Sequence, residues 1–132
     1  MSSNGALDKV KDILESKGFA HLATVGPEGE LHSSPVWFGW DGKDILISQT
    51  KTRQKYKNIL KNANVAVSIL DPSDPYRYAE IRGKVTSITD DPDFSFIDQM
   101  AKKYIGQDHY PWHQPGDERV VLHITPEKIL GH

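Results

Sequence analysis

The stretch "FAHLATVGPEGELHSSPVWFGWDGKDILISQ", residues 19–49, decides the fold. Its first run, "FAHLATV", is apolar enough for a strand buried on both faces. "GPEGE" follows, with Pro27 and Gly29 as turn punctuation. "LHSSPVWFGW" (31–40) reads as a second strand, "DG" as a hairpin turn, and "KDILISQ" (43–49) as a third. Strands joined this tightly pair antiparallel, so a three-stranded meander is expected.

Upstream, Leu7, Val10, Ile13 and Leu14 recur at helical spacing within residues 6–16, and Gly18 ends the run. Downstream, a helix is expected from about Arg53 to Lys61, with Thr52 as N-cap and Tyr56, Ile59, Leu60 and Ala63 as its apolar face. "NVAVSIL" (64–70) supplies a fourth strand, and "DPSDP" (71–75) breaks the chain. "YRYAEIRGKVTSI" (76–88) sets Tyr78, Glu80 and Arg82 against Ala79, Ile81 and Gly83, the alternation of a long fifth strand. Gly83 marks a bulge or bend within it. "DPDFSFIDQMAKKYI" (91–105) is a second long helix, with Asp90 or Asp91 near its cap and Phe94, Ile97, Met100, Ala101 and Tyr104 inward. After the polar, aromatic loop "GQDHYPWHQPGD" (106–117), "ERVVLHITPEKILG" (118–131) forms the last strand. Six strands with three helices, none alternating as βαβ, make a mainly β protein, an antiparallel barrel or sandwich with peripheral helices.

The 132 residues suit a single domain spanning 1–132. With 37% hydrophobic and 26% charged residues the composition is globular, and a formal charge of −2 argues against a nucleic-acid partner. Cysteine is absent, which excludes disulfides, a thiolate nucleophile and thiolate metal sites. No apolar run is long enough for a membrane span, and the sequence does not start with a signal-peptide pattern. A cytoplasmic location is the expectation.

Against this mild acidity, "SQTKTRQKYKNIL" (48–60) concentrates positive charge. Lys51, Arg53, Lys55 and Lys57 surround the start of the expected helix, where the dipole and the unpaired N–H groups favour anions. Each cation there is unfavourable by a few tenths to ~1 kcal/mol. A bound anion would reverse those terms and accept hydrogen bonds as well. The alternative is a solvated, Lys-rich helix face. Elsewhere the chemistry is sparse. His109 and His113 have a metal-like spacing, but Pro111 between them forbids the helix that would align them. His21 and His123 fall in strands, where packing or hydrogen bonding is expected. Asp90, Asp91 and Asp93 read as helix-start residues, Asp71 and Asp74 as turn residues. No G-x-S-x-G, Walker or G-x-G-x-x-G motif occurs. In "PVWFGW", Phe38 reads as core, while Pro35, Val36 and Trp37 could flank a planar ring one hairpin away from the cations.

"HLATVGPEGELHSSPVWFGWDGKDILISQTKTRQKYKNI", then "ANVAVSILDPSDPYRYAEIRGKV" and "RVVLHITPEKILG", resembles the split-barrel flavoproteins related to pyridoxamine 5′-phosphate oxidase. "LATV", the Pro-Val-Trp-Phe strand and "TRQKYKN" are especially similar to the branch that uses the deazaflavin coenzyme F420. The resemblance runs from about Phe19 to Gly131. It implies a six-stranded antiparallel split β-barrel that forms a homodimer with the cofactor at the subunit interface. It also implies that Arg53, Lys55 and Lys57 hold the cofactor's phosphate, with Lys51 and Gln54 beside them. Ser48 and Thr50 match polar residues near the ring or ribityl chain, and Pro35, Val36 and Trp37 match the strand along the ring. Tyr76, Arg77 and Tyr78 match residues reaching in from the partner subunit.

FMN ends in one phosphate, whereas the deazaflavin carries a phosphodiester and glutamate carboxylates. The cations, counting Lys61, therefore favour F420 over FMN. The sequence ends soon after the last strand, which speaks against pyridoxamine phosphate oxidation itself. The implied reaction is hydride transfer from the reduced deazaflavin to an enone- or quinone-type acceptor, with the cofactor carrying the chemistry. Tyr78, Tyr104, His109 and Tyr110 are the candidate proton donors. The alternatives are an FMN-dependent oxidase or reductase, a non-catalytic cofactor-binding protein, and a small basic-patch binder of another anion.

Overall fold

The structure, a computed structural model, describes residues 2–131, with the backbone alone for residues 2–4. In chain order the elements are α1 (Ser2–Leu14), β1 (Ala20–Val25), β2 (Leu31–Val36), β3 (Gly39–Trp40), β4 (Ile45–Thr50), α2 (Gln54–Lys61), β5 (Asn64–Asp71), β6 (Asp74–Asp90), α3 (Ser95–Ile105) and β7 (Arg119–Gly131). All strand pairs are antiparallel, in one seven-stranded sheet ordered β2-β1-β5-β6-β7-β4-β3.

That order fixes the shape. β2 and β3 are the two edges of the sheet, yet Val36 and Gly39 are three residues apart in the chain. Three residue steps span at most ~11 Å, while seven flat strands at ~4.8 Å spacing would hold the edges roughly 29 Å apart. The sheet must curl until its edges approach, and the result is a split half-barrel. The three-stranded meander is thereby corrected. β2 pairs with β1, whereas β4 pairs with β3 and β7. The apolar run 31–40, expected as one strand, breaks at Trp37 and Phe38 where the chain crosses between the edges, giving seven strands rather than six.

Alternation does the rest. In β1, Ala20, Leu22 and Thr24 point inward and His21 faces solvent, so this strand is buried on one face, not two. In β6, Ala79, Ile81 and Gly83 turn inward as expected, and the register shifts between Arg82 and Gly83. A Cβ at Gly83 would come within 2.3 Å of Thr125 O, so only glycine permits that approach. Phe38, Ile45, Ile47, Val67, Ile69, Leu122 and Ile124 fill the barrel, and Val10, Ile13 and Leu14 of α1 seal it against β5, β6 and β7.

All three helices start elsewhere than expected, α1 at Ser2 rather than Ala6. Arg53, not Thr52, occupies the N-cap of α2, in an extended conformation without a side-chain cap. Asn58 turns inward while Leu60 is 60% exposed. The buried amide is satisfied because Asn58 Nδ2 donates to Thr24 Oγ1 (3.0 Å) and Gln54 Nε2 donates to Asn58 Oδ1 (2.8 Å). α3 begins at Ser95 rather than at Asp91, and Phe94, expected inside the helix, is its N-cap in the left-handed region (φ 62°) without a side-chain cap. Asp91, three residues before that cap, accepts from Phe96 N and Ile97 N at 3.2 Å.

Candidate functional site

The site lies where the two sheet edges meet. β2 ends on Pro35 and Val36, and Trp37 continues from it; β4 ends on Ser48, Gln49 and Thr50. Ile45 and Ile47 point into the core, so the period-2 geometry of a strand turns Ser48 the other way. After Thr50 the chain turns, with Arg53 N donating to Thr50 O (3.2 Å), and α2 begins. Between these segments and the 106–118 loop is a cleft of about 330 Å³. Its lining includes Phe19, then Pro35, Val36 and Trp37 from the end of β2, and Ser48, Gln49 and Thr50 from the end of β4. Arg53 and Lys55 from the start of α2, Tyr110 and Trp112 from the loop, Arg119 of β7, and Ile97 and Met100 of α3 complete the lining.

Seven of the residues singled out in the sequence therefore come together: Pro35, Val36, Trp37, Ser48, Thr50, Arg53 and Lys55. Gln54 and Lys57, with Lys61, instead line a second groove of about 500 Å³ between the β1–β2 turn and the other flank of α2. Lys51 turns to a third surface, where its ammonium lies 3.7 Å from Asp90 and 3.9 Å from Glu118. Tyr76, 89% exposed, and Tyr78 belong to β6, outside the lining of the cleft. Arg77 is held by Asp12 and Asp71, which ties α1 to the β5–β6 hairpin.

The electrostatics of the cleft are one-sided. Its described lining includes no carboxylate. Lys55 Nζ donates to Ser34 Oγ at 2.8 Å, and burial, reinforced by the neighbouring Arg53 charge, pulls its pKa below the ordinary lysine value. Among the described residues neither Arg53 nor Lys55 pairs with an acid.

Behind the cleft, Trp37 stacks on Tyr104 (centroids 5.2 Å apart, planes at 5°), and Phe19 stacks on the same ring at 5.6 Å. Tyr104 is a structural clamp. Its hydroxyl donates to Gly18 O (2.8 Å) and accepts from Phe38 N (3.2 Å), and burial pushes its pKa up to about 12. Lys103 lies over the Phe38 ring at 4.3 Å and donates to Phe38 O at 2.6 Å; burial, then the Lys17 charge, lower its pKa to about 8. Together these bonds fix the crossing segment that carries Trp37.

Of the other candidate proton donors, His109 points away to Asp98 (3.1 Å) and is exposed, whereas Tyr110 lines the cleft. The same Asp98 accepts from Tyr110 N at 2.9 Å, which anchors the loop to α3. His113 packs between the rings of Phe94 and Tyr110, and His123 meets Thr89 Oγ1 at 3.0 Å. Sequence reasoning missed Arg119, Trp112 as a lining residue, Gln49, Ile97 and Met100. Arg119 lacked any local signal; the register Thr50↔Arg119 brings it to the cleft.

The profile of the pyridoxamine 5′-phosphate oxidase family matches residues 6–132. The chain belongs to that family. A solved structure named F420 reductase is 38% identical, covers 91% of this chain and 94% of its own, and superposes with a TM-score of 0.82. Two more distant solved structures extend the likeness of fold alone. General Stress Protein 26 from Bacillus anthracis is 22% identical (TM-score 0.71, covering 94% of this chain and 91% of its own). A conserved hypothetical protein from Mycobacterium tuberculosis is 19% identical (TM-score 0.72, 94% and 82%). A search of curated proteins gave no match.

Proposed function

We propose that this member of the family is a coenzyme F420-dependent reductase, acting as a homodimer with the cofactor between subunits. The observation that carries the reading is the cleft itself. It combines a strand edge suited to a flat ring with two cations, exposed Arg53 and part-buried Lys55, that have no acidic partner among the described residues. An uncapped helix start beside them adds backbone donors. The residues present fit a planar group with an anionic tail. The 38% identity to a structure named F420 reductase favours the deazaflavin as that group.

Each residue then has a role. Arg53 and Lys55 bind the phosphate; Lys57, Lys61 and Gln54 extend positive and polar character along the other flank of α2. Ser48 and Thr50 offer hydroxyls to the ribityl chain or ring. Pro35, Val36 and Trp37 lie along the ring, and the Tyr104 and Lys103 clamp keeps that segment rigid. When bound, the reduced deazaflavin supplies a hydride to an electron-poor acceptor of the enone or quinone type. Tyr110 is the candidate placed to move a proton at the acceptor. Exposed Tyr76, Phe19 and Trp112, at 89%, 56% and 56%, are the aromatic surface a second copy would cover, with Tyr76 and Tyr78 reaching the partner's site.

Equilibrium titration of the purified chain with F420, FMN and FAD tests this, followed by a reductase screen over enones and quinones. The reading requires F420 to bind most tightly and at least one acceptor to be reduced. Tighter binding of FMN, with a yellow purified protein, would instead favour an FMN-dependent oxidoreductase; binding without turnover would favour a carrier.

A further inference from the structure

Arg53 and Lys55 are not the only cations in the cleft. Arg119 also lines it, at the start of β7 and opposite Thr50 of β4. Its guanidinium lies 4.7 Å over the Tyr110 ring, and Nη1 donates to Ser48 Oγ at 3.1 Å. These two contacts set the plane of the group. They use one of its five N–H donors, and Nε is buried with no acceptor. A buried donor left unsatisfied is unfavourable, and although Asp90, Asp117 and Glu118 share the neighbouring groove with Arg119, none of them forms an ion pair with it among the described residues. Acids are close in the chain: Glu118 is the preceding residue, but it turns to Lys51. Lys55 is tied to Ser34 on β2, whereas Arg119 is tied to Ser48 on β4. The cleft thus carries cations held from two different strands, with Trp37, Tyr110 and Trp112 as aromatic lining.

We propose that Arg119 is a substrate-anchoring residue that receives a carboxylate, so that the cleft selects planar, conjugated acids as its second ligand. Lys55 is held toward β2 and Arg119 toward Ser48 of β4, so an anion on Lys55 does not by itself use the free donors of Arg119. A planar guanidinium on an aromatic ring presents the fork that carboxylates match in bidentate fashion. The aromatic walls favour a flat, conjugated body on that carboxylate. Calling this ligand the hydride acceptor rests on the reductase reading; the binding itself does not.

The test titrates the cofactor-free chain with trans-cinnamate and its neutral isostere trans-cinnamamide, followed by two-dimensional NMR. Cinnamate should bind about tenfold more tightly or better, and should shift the Arg119 Nε–H resonance. Arg119→Gln should bring the two probes within about twofold, Arg119→Lys should retain part of the preference, and Lys43→Met, an exposed lysine outside the cleft, should keep it. The resonance shift in the unsubstituted chain decides the matter if Arg119→Gln does not fold. Equal affinity for the two probes would overturn the proposal. So would a preference that survives Arg119→Gln or disappears in Lys43→Met, or an Arg119→Gln variant that weakens F420 binding but not cinnamate selection. Selection of cinnamate by a chain that fails to bind F420 would support the anchor and refute the reductase reading.

Discussion

Lys55→Met removes one ammonium while keeping most of the aliphatic stem, and the structure predicts opposite signs for its effects on binding and stability. In the free protein Lys55 is part-buried, beside Arg53, with Ser34 Oγ as its hydrogen-bond partner. An ammonium has three donors, so binding a phosphate need not break the bond to Ser34. A charge-assisted hydrogen bond contributes about 1.5–3 kcal/mol, which corresponds to a roughly 10- to 150-fold weaker Kd for F420. The fold should lose nothing comparable. Burial and Arg53 both disfavour this charge, so Tm should stay level or rise; even 1 kcal/mol would move it by only about 3–5 °C in a chain of this size. The affinity should also depend on pH. A bound anion raises the pKa of Lys55 from its depressed free value, so affinity falls as pH rises through that free value, and Lys55→Met flattens this dependence. Fluorescence titration of F420 from neutral to alkaline pH, with thermal unfolding of both proteins, measures all three effects. An unchanged Kd would place the phosphate elsewhere, and a large fall in Tm would mean that Lys55 serves the fold.

Raising salt should weaken F420 more steeply than FMN, because its longer anionic tail meets more screened contacts; parallel titrations between about 50 and 500 mM salt measure this, and equal slopes would count against the tail. Tyr104→Phe should destabilise the fold by about 1–3 kcal/mol, because Phe38 N and Gly18 O both lose their partner, while the pH profile of any reductase activity keeps its shape. Equilibrium denaturation and pH–rate profiles report the two halves, and a lost titration limb would make Tyr104 a proton donor. Lys103 should titrate at about 8 by side-chain NMR. Its folded pKa lies below the ordinary lysine value, so the unfolded chain binds more protons between about 8 and 10.5, and the Lys103 contribution to stability rises with pH across that window. Sedimentation should show a dimer at micromolar concentration whose Tm rises with F420 and with protein concentration; a monomer binding F420 at full affinity would sink the shared site.

The parts of this fold that could be read from sequence are those governed by neighbours along the chain. Ala79, Ile81 and Gly83 alternate with Tyr78, Glu80 and Arg82 because a strand does so wherever one face is buried, and the period survives any topology. Arg53 and Lys55 stood out for a similar reason: clustered cations at a helix start are locally unfavourable, so they imply something that compensates them. What failed was non-local. The run 31–40 has a strand's composition throughout, but curling of the sheet requires the chain to leave one edge at Val36 and join the other at Gly39. Asn58 displaced Leu60 from the inner face of α2 because Thr24, thirty-four residues earlier, offers its amide a partner. Arg119 follows the same logic. Beside Glu118 at a strand start it looks like half of a solvated charge pair, and the pairing of β7 with β4 is what sends Glu118 toward Lys51 and Arg119 toward Ser48. A charge whose obvious neighbour is taken by another residue leaves no mark in the sequence, and finding it requires the register.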